Sequence, residues 1–164
     1  MIVRRAATDD AAAIERVARA TWRADYPEVL NRENAAEAAG DWYDEHSLKA
    51  TIERENALVL VASLGDEVVG FAHAYVGADR GDLLRLYVAP GYRDRGVGTA
   101  LVDRMVDDLF DEGVEAVQAM VLAANDQGRA FYEARGFELV SEDAETLIDG
   151  ELYPECAYRL ERED

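Results

Sequence analysis

LLRLYVAPGYRDRGVGTALVDRMVDDLF, Leu83 to Phe110, decides the fold. Its opening run, Leu83 to Val88, has the length and apolar character of a buried strand. Pro90 and Gly91 stop that strand. A loop carrying Arg93, Arg95, Gly96 and Gly98 follows. Val97, Leu101, Met105 and Leu109 then recur at helical spacing, with Asp103, Arg104, Asp107 and Asp108 between them. The stretch reads as strand, glycine-rich turn, helix.

The turn carries the chemistry. A helix N-terminus presents unpaired backbone N–H groups and the positive end of the helix dipole. Gly96 and Gly98 lack a Cβ, so an anion can come close to those groups. Arg93 and Arg95 add positive charge, and Thr99 adds a hydroxyl. The combination suits phosphate, and a diphosphate best. Two familiar phosphate loops do not fit. Gly91-x-x-x-x-Gly96 begins like a P-loop, but Val97 and Gly98 stand where Lys and Ser/Thr belong. After Gly96-x-Gly98, the third glycine of the dinucleotide fingerprint is replaced by Leu101. A nucleotide-binding α/β domain is therefore disfavoured.

What remains is Arg93-x-x-Gly96-x-Gly98 directly after a strand ending LYVAP. This resembles the acetyl-CoA loop of the GNAT-type N-acetyltransferases, in motif and in setting. The resemblance covers about Leu58 to Val140 well and the flanks loosely. It implies an α/β fold: a mixed, mostly antiparallel central sheet with a parallel pair at the cofactor site, flanked by helices.

Length and composition agree with one domain. A chain of 164 residues is long enough to bury a real core. Hydrophobic residues make up 49%, which argues against disorder. No apolar run approaches the ~20 residues that span a membrane. Charges stand in MIVRRAATDDAAAIERV where a signal peptide needs its apolar stretch. The expectation is a cytoplasmic protein. Cys156 is the only cysteine, so no intrachain disulfide forms, and His46 and His73 suggest no metal site. Asp and Glu number 35 against 17 basic residues, of which only Lys49 is lysine, for a net charge of −18. Such a surface disfavours nucleic acid. It resembles acidic proteins of salt-loaded, halophilic cytoplasm, where screening weakens self-repulsion.

Along the chain, Ile2 to Arg5 reads as a strand, and Thr8 as the cap of a helix striped by Ile14, Val17 and Ala18. Residues 28–56 suggest one or two short helices. Leu58 to Leu64 and Glu67 to Val76 read as an antiparallel hairpin about Gly65-Asp66. Residues 77–81 read as a loop. Gly113 ends the long helix, and Val114 to Leu122 is the next strand. Strand, crossover helix and strand imply a parallel pair. A helix capped by Asn125 and stopped by Gly136 precedes a short strand, Phe137 to Val140. The tail reads as a loop containing Gly150 and Pro154, then a last strand near Cys156 to Leu160.

Asn125, Arg129 and Tyr132 share one face of that late helix by their spacing. A similar Asn…Tyr…Gly-Phe segment occurs in GNAT enzymes. The resemblance implies that Arg93, Asp94, Arg95, Gly96, Val97, Gly98 and Thr99 hold the diphosphate of acetyl-CoA. It implies that Leu86, Tyr87 and Val88 offer backbone groups to the pantetheine arm. Asn125 would touch that arm, Arg129 the phosphates, and Tyr132 the thioester sulfur as general acid. Asp82 stands near where many members carry a glutamate base, and being shorter it would work through a water. His73 on the neighbouring strand is the other titratable candidate, although a satisfied sheet histidine is the plainer reading. Trp22, Tyr26 and Tyr153 would line the acceptor site.

The implied activity is direct transfer of an acetyl group from acetyl-CoA to a primary amine of a small molecule or a protein, without a metal. The alternative is a non-catalytic, CoA-binding regulatory module of the same fold. Family members are often homodimers, so dimerisation is an expectation by resemblance alone.

Overall fold

The computed structural model describes residues 1–25, 44–148 and 151–163. Seven strands form one sheet in the order β1-β2-β3-β4-β5-β7-β6. They are β1 (Ile2–Arg5), β2 (Ala57–Leu64), β3 (Glu67–Val76), β4 (Arg80–Val88), β5 (Ala116–Leu122), β6 (Glu138–Ile148) and β7 (Glu151–Glu161). Four α-helices are described: α1 (Ala11–Asp25), α2 (Glu45–Ile52), α3 (Val97–Asp111) and α4 (Asp126–Ala134). Neighbouring strands are antiparallel except β4 and β5, which run parallel. The sheet is therefore the mixed, mostly antiparallel one expected.

The continuous apolar run of β2 has a simple cause: both its faces are covered. Leu58, Leu60 and Ala62 face one cluster with Val97, Leu101, Met105 and Leu109 of α3. Val59 and Val61 face the other, with Ile14, Val17 and Ala18 of α1 and Leu48 of α2. Helices α3 and α4 thus cover one face, and α1 and α2 the other. Asp44 caps α2, its Oδ1 accepting from Ser47 N–H at 2.8 Å. The start of α1 differs from expectation. Thr8 lies in a 3-10 turn, and it is the Asp10 carboxylate that accepts from Ala7 N–H while pairing with Arg4.

Two further differences concern strands. β4 begins at Arg80, inside the expected loop, because Tyr75 and Val76 of β3 extend the pairing to Asp82 and Gly81. The expected last strand near Cys156 to Leu160 lies within β7, but the loop expected before it is strand, and the tail forms a long hairpin of β6 and β7. Pro154 misled that reading, since proline supplies no N–H to a ladder. Here its carbonyl accepts from Ala123 N–H, just past the end of β5, so the absent N–H lies on a side with no further strand to serve.

Candidate functional site

The site begins where the one parallel pair comes apart. β4 and β5 are paired only from Arg80↔Ala116 to Leu83↔Ala119. Beyond that point β4 stays with β3, through Val88↔Gly70, while β5 stays with β7, through Leu122↔Glu155. A register shift on the β3 side, between His73 and Ala74, leaves Leu84 as an extra residue in β4. Such a bulge re-aims a strand.

The backbone of β4 beyond the bulge is consequently open on one edge. Ala89 N–H donates to Val69 O on the β3 side at 2.8 Å. Peptide groups alternate along a strand, so those of Val88 and Leu86 point the other way, into the split. The side chain of Tyr87 packs on Phe71 with the α1 cluster, ring centroids 5.4 Å apart.

At the carboxyl end of β4 the glycine turn is held by its own arginines. Arg93 Nε and Nη2 each donate to Val88 O at 3.3 Å. The Arg95 guanidinium lies 5.4 Å from the Tyr92 ring, and Tyr92 Oη donates to Glu67 Oε2 at 2.8 Å. Asp94 and Gly96 both have positive φ, 61° and 82°. Gly96 is the N-cap of α3, and no side chain caps it. The first intrahelical bond is Ala100 N–H to Gly96 O, so the amides of Val97, Gly98 and Thr99 come before it. A Cβ placed on Gly96 would meet nothing within 4 Å, and one on Gly98 would meet Val88 and Phe131 at 3.6 and 3.7 Å. Helix α4 therefore lies across the opening from the start of α3. This end of the sheet, outside the carboxyl ends of two parallel strands, is where α/β sheets bind ligands. Bare amides, two arginines and a glycine N-cap make it able to hold a diphosphate.

The α4 residues are placed as follows. Asn125 is its N-cap, Oδ1 accepting from Gly128 N–H at 2.9 Å. Arg129 Nε donates to Tyr158 Oη at 3.1 Å, and Nη2 lies 3.5 Å from Glu142 Oε1. Tyr132 is 7% exposed. Its ring stacks on Tyr158 and meets Phe131 and Phe137 edge-on. Arg129 and Tyr132 do share a face, and both meet β7 through Tyr158. That tyrosine is fully buried, and nothing in the local sequence links it to α4.

On the opposite sheet face stand the two titratable candidates. Asp82 Oδ1 accepts from Arg80 Nε at 2.8 Å, and Arg80 Nη1 donates to Gln118 Oε1 at 3.2 Å. His73 is buried, and burial first, then the charges of Arg85 and Arg54, push its pKa down to about 4. Arg85 Nη1 lies 3.4 Å from His73 Nδ1. A guanidinium only donates, so Nδ1 accepts and the proton of the neutral ring is on Nε2. Between pH 6.5 and 4 the unfolded chain then binds a proton that the folded chain refuses. Stability should rise with pH across that window and fall on acidification, by at most about 3 kcal/mol from this group. Urea titrations at pH 7 and pH 4.5 should show this loss in the wild type and a smaller one in His73→Gln.

For the acceptor side, Tyr153 is half-buried in β7, within a strand rather than the expected loop. The backbone of Trp22 belongs to α1, but its side chain lies outside the described residues, as does all of Tyr26. Among the described residues no group of three or more His, Cys, Asp or Glu side chains could hold a metal ion, and no helix is long and apolar enough to cross a membrane.

The fold is a mixed α/β one, its sheet split at the parallel pair and a glycine-led helix starting at the opening. The chain belongs to the acetyltransferase (GNAT) family, whose model matches residues 14–137. An acetyltransferase of Sodalis glossinidius is 29% identical over 135 residues, covering 82% of this chain and 94% of that one. The PaiA N-acetyltransferase of Thermoplasma acidophilum, solved in complex with coenzyme A, shares the fold with a TM-score of 0.89 at 22% identity over 98% of each chain. A GCN5-related N-acetyltransferase of Rhodopseudomonas palustris gives a TM-score of 0.81 at 25% identity, over 98% of this chain and 95% of that one.

Proposed function

We propose that the protein transfers an acetyl group from acetyl-CoA directly to a primary amine of a small molecule or protein. The observation that carries this is the uncapped start of α3 beside the opened edge of β4. Bound there, acetyl-CoA supplies the activated acetyl thioester. The amides of Val97, Gly98 and Thr99, with Arg93, Asp94, Arg95 and Gly96, form the diphosphate cradle. Leu86 and Val88 present peptide groups to the pantetheine arm, with Tyr87 between them. The inward-facing amide of Val88 suits a developing oxyanion. Asn125 faces the arm from the start of α4. Tyr132 donates a proton toward the departing sulfur, and Asp82 takes the amine's proton through a water. Arg129, tied to Tyr158 and Glu142, acts on the phosphates only from the flank. Trp22, Tyr26 and Tyr153 border the acceptor.

The test is thiol release. With acetyl-CoA and a panel of primary amines in high salt, free thiol should appear in step with amine consumption. Tight CoA binding with no thiol released across the panel would favour the non-catalytic module instead.

A further inference from the structure

On the reading that the enzyme acylates an amine, we infer that Glu155 is the carboxylate that docks a second, non-reacting cationic group of the acceptor. Its position comes from the register. The last β4–β5 pair is Leu83↔Ala119, and three residues further along β5 Leu122 pairs with Glu155. On β4, once the extra residue Leu84 is allowed for, the position level with Leu122 is Tyr87, in the freed segment that borders the split. Glu155 therefore stands level with the opening, one strand beyond its β5 wall.

The face follows from alternation along β7. Cys156 and Tyr158 lie in the core on the α3 and α4 side. Glu155 points to the opposite face, the one that carries Asp82 and Gln118 and leads away from the diphosphate cradle. A donor entering from the α3 side leaves this face for the acceptor. With strands ~4.8 Å apart, Glu155 lies roughly 5–10 Å to the side of the reacting centre. That separation suits a second charge on the acceptor rather than its reacting nitrogen.

The chemistry of Glu155 sets it apart from the other charges of this face. Arg80 pairs with Asp82, Arg159 with Glu161 at 2.8 Å, and Arg85 lies against His73. Glu155 is half-buried, and among the described residues it has no hydrogen-bond or ion-pair partner. Burial raises its pKa, and among the described residues no cation opposes that. A half-buried carboxylate held without a cation is costly unless something supplies one. An ammonium or guanidinium on the acceptor does so with a charge-assisted hydrogen bond.

The experiment uses the full chain saturated with coenzyme A and n-butylammonium as probe, with n-butanol as neutral control. Binding is followed by amide chemical shifts. Shifts centred on Leu122 and Glu155 should saturate with the cation and not with the alcohol. Glu155→Gln should weaken the cation's binding by about tenfold or more, and Glu155→Asp should keep most of it. Circular dichroism and unchanged CoA affinity check that both variants are folded. Equal cation affinity in Glu155→Gln and wild type overturns the assignment. So does a wild type that binds coenzyme A but shows no saturable shift near Glu155, and in that case acetyl transfer still stands. Failure to bind coenzyme A would instead remove the enzymatic reading beneath it.

Discussion

Gly98→Phe should weaken coenzyme A binding by about 100-fold or more, measured by calorimetry. The reason is local. The amides of Val97, Gly98 and Thr99 open α3 without a capping side chain. A Cβ at position 98 points toward Val88 and Phe131, between β4 and α4. A phenyl ring there occupies the mouth of the split and shields those amides. Losing two hydrogen bonds to a charged diphosphate, at ~1.5–3 kcal/mol each, accounts for the factor. Gly98→Ala is the control for folding, since its methyl would meet only ordinary contacts at 3.6 and 3.7 Å. Gly96 is a less clean site for the same test. At φ 82° any side chain adds backbone strain of roughly 1–2 kcal/mol, so lost binding would be mixed with lost stability.

Tyr132→Phe should lower turnover by about 100-fold or more while CoA affinity stays within about threefold, a split expected when a general acid is removed. The substitution keeps the ring that stacks on Tyr158 and meets Phe131 and Phe137, so the core survives. Only the hydroxyl is lost, which limits any stability change to about 1 kcal/mol. Steady-state rates with acetyl-CoA, beside a thermal melt of each protein, read both quantities. Unchanged turnover would leave Tyr132 as a packing residue and move proton donation elsewhere.

Much of the frame could be read from local pattern. The strand, turn and helix from Leu83 to Phe110 announced themselves through apolar run, glycine turn and helical spacing, and so did the β2–β3 hairpin and the Asn125 cap. The parallel pair followed from the crossover helix. What was hidden depends on contacts between distant residues. Nothing near Leu83 says that β5 abandons β4 at Ala119, or that Leu84 bulges. The long β6–β7 hairpin was obscured because Pro154 is tolerated only through its place beyond the end of β5. The partners of the charged residues were equally illegible. Asp82 lies in an ion pair with Arg80, and Arg129 reaches Tyr158 across 29 positions of sequence. Glu155 is one of 35 acidic residues in the chain, and only the register places it beside the split.

Calorimetry of the wild-type protein with coenzyme A and with pantetheine tests the central claim most directly, because the two ligands share the arm and differ in the diphosphate and nucleotide. If the start of α3 grips the diphosphate, coenzyme A should bind at least about 100-fold more tightly, and Gly98→Phe should erase most of that advantage. Equal affinities for the two ligands, or an advantage that survives the phenylalanine, would contradict it.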